Sequence, residues 1–107
     1  MSKNYRAKVH FDLSAAPRRE YRRMLDVVSD TLLKRPETAD TLIFGSEKDG
    51  SIDLVMRVES SSSSSASSKI DTFIRRIIYA IDPHSGVRTH GTSGISTEHV
   101  TKELTAA

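Results

Sequence analysis

The 107-residue chain contains no cysteine and no tryptophan, and only five glycines and three prolines. Without cysteine it has no disulfide framework, no thiolate metal centre and no cysteine nucleophile, and the lack fits a reducing compartment. No run approaches the ~20 apolar residues of a membrane span. The opening "MSKNYRAKVHFDL" lacks the uninterrupted apolar stretch of a signal peptide, so the expected address is the cytoplasm, with no membrane partner. A large excess of one charge is also missing: the net charge is +2. Its distribution is uneven, however. Residues 1–35 carry nine Lys/Arg against four acids, and residues 36–107 carry seven against ten. Such asymmetry serves either an acidic partner or mutual neutralisation, within one fold or across a dimer.

What is present is regular hydrophobic patterning, sized for one domain over residues 1–107. Residues 5–13 alternate strictly, with Tyr5, Ala7, Val9, Phe11 and Leu13 on one face and Arg6, Lys8, His10 and Asp12 on the other, which predicts a half-buried strand. From Arg18 to Arg35 the residues Tyr21, Met24, Leu25, Val28 and Leu32 recur at helical spacing, and Pro36 ends that segment. Residues 41–46 and 51–59 form two further strands joined by "EKDG", where Asp49-Gly50 signals a tight turn. A second helix runs over 69–81 on Ile70, Phe73, Ile74, Ile77, Ile78 and Ile81, and Pro83 stops it.

Between strand and helix lie six consecutive serines, Ser60 to Ser65. Neither flank could close a core alone, so residues 60–68 are read as a loop inside one domain. Ser67 or Ser68 is expected to cap the helix, with Asp71 completing a capping box. Phosphorylation or anion binding at this helix start is the alternative use.

The order strand, helix, strand, strand, helix predicts an α+β, two-layer β-α-β-β-α(-β) sandwich, with two helices on one face of a mostly antiparallel sheet. It resembles the ferredoxin-like fold, in which the first and third strands are neighbours. A fourth strand is expected from residues 94–104, where Ile95, Thr97, His99 and Thr101 alternate. Residues 83–94 read as a Gly/Ser/Thr-rich loop, and 105–107 as a frayed tail.

No catalytic, cofactor or metal motif is complete. His84, His90 and His99 have irregular spacings that do not match paired metal ligands. "GVRTHGTS" (86–93) lacks the phosphate-binding lysine of a P-loop and follows a helix rather than a strand. "HGTSG" misplaces the second glycine of a nucleophile elbow. A divergent enzyme or metal site in His84–His99 is therefore the least supported reading. The basic cluster Arg18, Arg19, Arg22 and Arg23 is the candidate phosphate or anion contact, because cations at a helix N-terminus oppose its dipole. Its structural counterpart is a salt-bridged surface with Glu20 and Asp26. RNA-recognition motifs carry aromatics on their central strands, and the corresponding positions here are charged or aliphatic.

With Leu42, Phe44, Leu54 and Met56 read as inward, Ile43 and Val55 fall on the exposed sheet face beside Arg6, Lys8, His10 and Arg57. These six residues form the candidate dimer or partner face. The leading expectation is a small cytoplasmic, non-catalytic interaction domain that acts as a homodimer or within a larger assembly. A nucleic-acid-binding accessory protein using Arg18–Arg23 is the alternative.

Overall fold

A computed structural model of the chain describes residues 2–81 and 95–106. Their order is β1 (Lys3–Asp12), a 3-10 turn (Arg18–Glu20), α1 (Tyr21–Leu33), β2 (Leu42–Ser46), β3 (Ser51–Ser60), α2 (Ser63–Ile81), a 3-10 turn (Thr97–His99) and β4 (Val100–Ala106). The class is α+β, with two helices against one sheet. The sheet is antiparallel throughout, in the order β2-β3-β1-β4. No described helix is long and apolar enough to cross a membrane.

Alternation along the two central strands sets the layers. Tyr5, Ala7, Val9 and Phe11 of β1, with Ile52, Leu54, Met56 and Val58 of β3, are buried on one side of the sheet. Two apolar helix stripes cover them: Tyr21, Met24, Val28 and Leu32 from α1, and Ala66, Ile70, Ile74, Ile77, Ile78 and Ile81 from α2. Each of the larger side chains contributes roughly 1.5–3 kcal/mol by leaving water. Ile95, just before β4, closes the same core.

The connections are tied by side chains. The Tyr21 hydroxyl donates to the Ser51 carbonyl at 2.8 Å. Thr38 Oγ1 donates to the Leu32 carbonyl at 2.7 Å, satisfying an acceptor at the end of α1. In the β2–β3 turn, Gly50 takes φ +65°, the left-handed region that an L side chain adopts only at a cost.

Four expectations are corrected. First, the serine run is mostly helix: α2 begins at Ser63, and the Ser65 N–H donates to Ser62 Oγ at 3.1 Å, so Ser62 rather than Ser67 or Ser68 sits at the N-cap. Second, the last strand starts at Val100. Residues 97–99 form a 3-10 turn, in which Ser96 and His99 close a capping box. Third, β4 runs on past residue 104, with Thr105 and Ala106 paired to Arg6 and Tyr5. Fourth, β2 faces the opposite way. Its register sets Ile43 against Leu54 and Phe44 against Asp53. Opposed residues share a face, so Ile43 packs on the core while Leu42 and Phe44 stand on the open side. The predicted 83–94 loop lies outside the described residues.

Candidate functional site

The helices cover one face of the sheet, and the register defines what the other presents. Across β2, β3, β1 and β4, one row reads Leu42, Val55, Lys8, Glu103, and the next reads Phe44, Asp53, His10, Thr101. Leu42 and Phe44 are 56% and 55% exposed although both are large and apolar, and half-buried Val55 lies opposite Leu42. Around this patch stand charges of both signs. His10 Nδ1 lies 2.6 Å from Asp53 Oδ1, bridging the two central strands. Further along, Arg6 and Arg57 are directly opposed. Like charges in that position are destabilising, and neither guanidinium has a carboxylate within ion-pair distance among the described residues.

Five of the six residues expected on this face are therefore brought together: Arg6, Lys8, His10, Val55 and Arg57. Ile43 is excluded by the register, and Leu42 and Phe44 replace it. A signal for them existed in the sequence. The four-residue "EKDG" loop opposes Ser46 to Ser51, which places Phe44 opposite outward Asp53.

The arginine cluster is divided among structural contacts. Arg18 donates to the Lys48 carbonyl at 2.7 Å, tying the entrance of α1 to the β2–β3 turn. Arg22 lies 3.8 Å from Glu47. Arg23 contacts Glu20 at 2.5 Å and donates to the Ile81 carbonyl at 3.1 Å, satisfying an acceptor at the end of α2. Of the four, Arg19 alone has neither a hydrogen bond nor an ion pair among the described residues.

Of the three C-terminal histidines, only His99 is described, and its Nδ1 accepts from the Ser96 N–H at 3.1 Å. His84, His90 and the "GVRTHGTS" and "HGTSG" segments lie outside the described residues. Among the described residues no three His, Asp or Glu side chains converge as metal ligands.

Among the described residues two ionisable groups have shifted titrations, and each has a structural cause. Hydrogen bonding from Ser14, through its side chain and its backbone N–H (3.0 Å to Oδ1), holds the exposed Asp12 carboxyl below the ordinary value. Burial pushes the Tyr21 phenol up, against partial relief from the Ser46 backbone, and the Glu47 and Asp53 charges add to the rise. Both lie where β1, α1 and the β2–β3 turn meet, and both serve the fold.

A separate groove of about 610 Å³ runs along β3 beyond the end of β2. Its walls include Pro36 and Asp40 from the α1–β2 connection, Val58 and Glu59 of β3, and Lys69 and Phe73 of α2. Arg76 stands over the Phe73 ring, 5.9 Å from its centroid. Comparison with protein-family models, with curated proteins and with solved structures finds no match to this chain.

Proposed function

We propose that the chain is a small non-catalytic protein-interaction domain of the cytoplasm, which acts through its open sheet face as a homo-oligomer or within a larger assembly. The carrying observation is the exposed apolar pair Leu42 and Phe44 beside Val55, set among Lys8, His10, Asp53 and Glu103. An antiparallel sheet with a solvated outer face normally carries polar residues there. Two phenylalanine- and leucine-sized side chains left in water favour a covering surface, and the mixed charges around them supply orientation and specificity. In this reading the β-α-β-β-α-β order belongs to a ferredoxin-like sandwich, an arrangement that by itself implies no activity.

The test is the mass in solution of the wild type and of Phe44→Asp across a concentration series, beside capture of partners from the protein's own source. Self-association or capture that Phe44→Asp removes, with folding retained, supports the face. Indifference of every interaction to Leu42 and Phe44 refutes it. Nucleic-acid binding through Arg18–Arg23 has less support, because three of the four arginines have partners within the chain. It predicts salt-sensitive oligonucleotide binding that is lost when Arg19, Arg22 and Arg23 are replaced.

A further inference from the structure

The β3 strand is ten residues long, but β2 covers it only from Ser51 to Val55. The half from Met56 to Ser60 has β1 on one side and the groove on the other. Its backbone direction follows from two contacts. The Leu13 N–H donates to the Gly50 carbonyl at 2.7 Å in line with the β1–β3 ladder. In an antiparallel strand successive residues turn their backbone groups to opposite sides. Even-numbered residues of β3 therefore face β1, and the odd-numbered Arg57 and Glu59 face the groove. Lys69 confirms the phase by donating to the Glu59 carbonyl at 2.7 Å. The edge thus offers two N–H and two C=O groups at the spacing of a strand ladder, with one carbonyl held by a surface ammonium.

From this edge we infer that a second copy of the same chain docks by antiparallel pairing of β3 with β3 about a twofold axis at Val58, an inference that rests on the reading that the chain self-associates. The occupant is indicated by charge complementarity. Along the edge the sequence reads Arg57, Val58, Glu59. Antiparallel pairing centred on Val58 sets each Arg57 against the partner's Glu59, and both are residues whose backbone groups point outward. The pairing therefore forms two narrow hydrogen-bonded pairs, with their side chains roughly 5 Å apart at Cβ. All four side chains lie on the open face. Each Arg57, opposed within its own chain by Arg6 and lacking a carboxylate partner among the described residues, gains one. On the helix side, Val58 and Phe73 line the same groove and meet their symmetry mates. Lys69 gives up its surface bond and is free to turn to solvent. The two four-stranded sheets become one, and both Leu42–Phe44 patches lie on its single open face.

The test is a charge-swap matrix read by sedimentation or light scattering, with folding checked by circular dichroism. It is run on the full chain and also in a Phe44→Asp background, so that association through the face does not mask the edge. Arg57→Glu and Glu59→Arg each place like charges in both pairs, and each is expected to be monomeric where the wild type is dimeric. The double variant Arg57→Glu/Glu59→Arg restores the opposition and the dimer. Mixing the two single variants yields the heterodimer, since every pair then joins opposite charges. In the Phe44→Asp background, a dimer that persists in both single variants, or a mixture that stays monomeric, overturns the edge pairing while leaving self-association standing. A wild type that is monomeric at every concentration overturns the self-association reading itself.

Discussion

Replacing Gly45 with alanine tests the packing under β2 through a sign reversal. Gly45 lies opposite buried Ile52, so an added β-carbon points to the helix layer. There it would meet Tyr21 Oη at 2.7 Å and Leu25 Cδ2 at 3.3 Å, against 3.4 Å or more in ordinary contact. The tyrosine has little room to yield, since its ring is buried and its hydroxyl is held by the Ser51 carbonyl. Overpacking of this kind costs about 1–3 kcal/mol. Restricting the unfolded backbone by replacing glycine returns about 0.4–1 kcal/mol. Gly45→Ala should therefore destabilise by about 1–2 kcal/mol. Tyr21→Phe deletes the obstructing oxygen and one hydrogen bond, at a cost of about 1 kcal/mol. In that background the nearest neighbour is the end of the flexible Leu25 side chain, and Gly45→Ala should become neutral or stabilising. Urea unfolding of the wild type, both single variants and the double variant, followed by circular dichroism, measures the cycle. Additivity within about 0.5 kcal/mol would show that the two sites are uncoupled and would refute the reasoning.

Other expectations follow from single contacts. Ser62→Ala should cost about 1 kcal/mol through loss of the N-cap of α2, whereas Ser64→Ala should cost little; urea midpoints at equal slope distinguish them. Lys102 reaches Asp71 Oδ1 at 2.5 Å and Ser67 Oγ at 2.6 Å, fastening β4 to α2. Lys102→Ala should speed amide exchange in β4 well before β1 or β3, and uniform protection would refute that role. The lowered Asp12 carboxyl binds its proton less readily when folded than when unfolded. Its contribution is therefore present above the ordinary carboxylate value of about 3.9 and is lost as pH falls through the lower folded one. Asp12→Asn should accordingly lose stability relative to wild type at neutral pH, and the gap should close in acid; a gap independent of pH would contradict the assignment.

The long elements are legible because their patterns are redundant. Four inward residues on β1 and four on β3 agree with one another, and the isoleucine series of α2 admits one buried face. The start of α2 is less legible, since serines carry no periodicity. Ala66 is their one buried apolar side chain on that helix, and the N-cap is set by Ser62 reaching the backbone. β4 was hard to read for a different reason. It has only Val100 and Leu104 to bury, and the helix-facing position between them is Lys102, held by Ser67 and Asp71 of α2.

The misread strand is the informative one. β2 has five residues, and hydrophobicity alone places Leu42 and Phe44 inside with Ile43 outside. The register reverses this, because a strand's side-chain period is two and its parity is inherited from the partner across the turn. Gly45 fits the reversed parity, since the position facing Tyr21 has no room for a side chain. Local pattern and global register thus conflict at Leu42 and Phe44, and nowhere on β1 or β3. Such conflicts are retained where a surface is used rather than merely solvated. Under the proposed reading, a pattern that is wrong for folding one chain is right for covering two surfaces. That is why the apolar pair on β2, together with the opposed arginines on the same face, bears more weight for function than the serine run or the arginine cluster. Those two features are taken up within the fold, by the capping of α2 and by the ties that hold α1 to its neighbours.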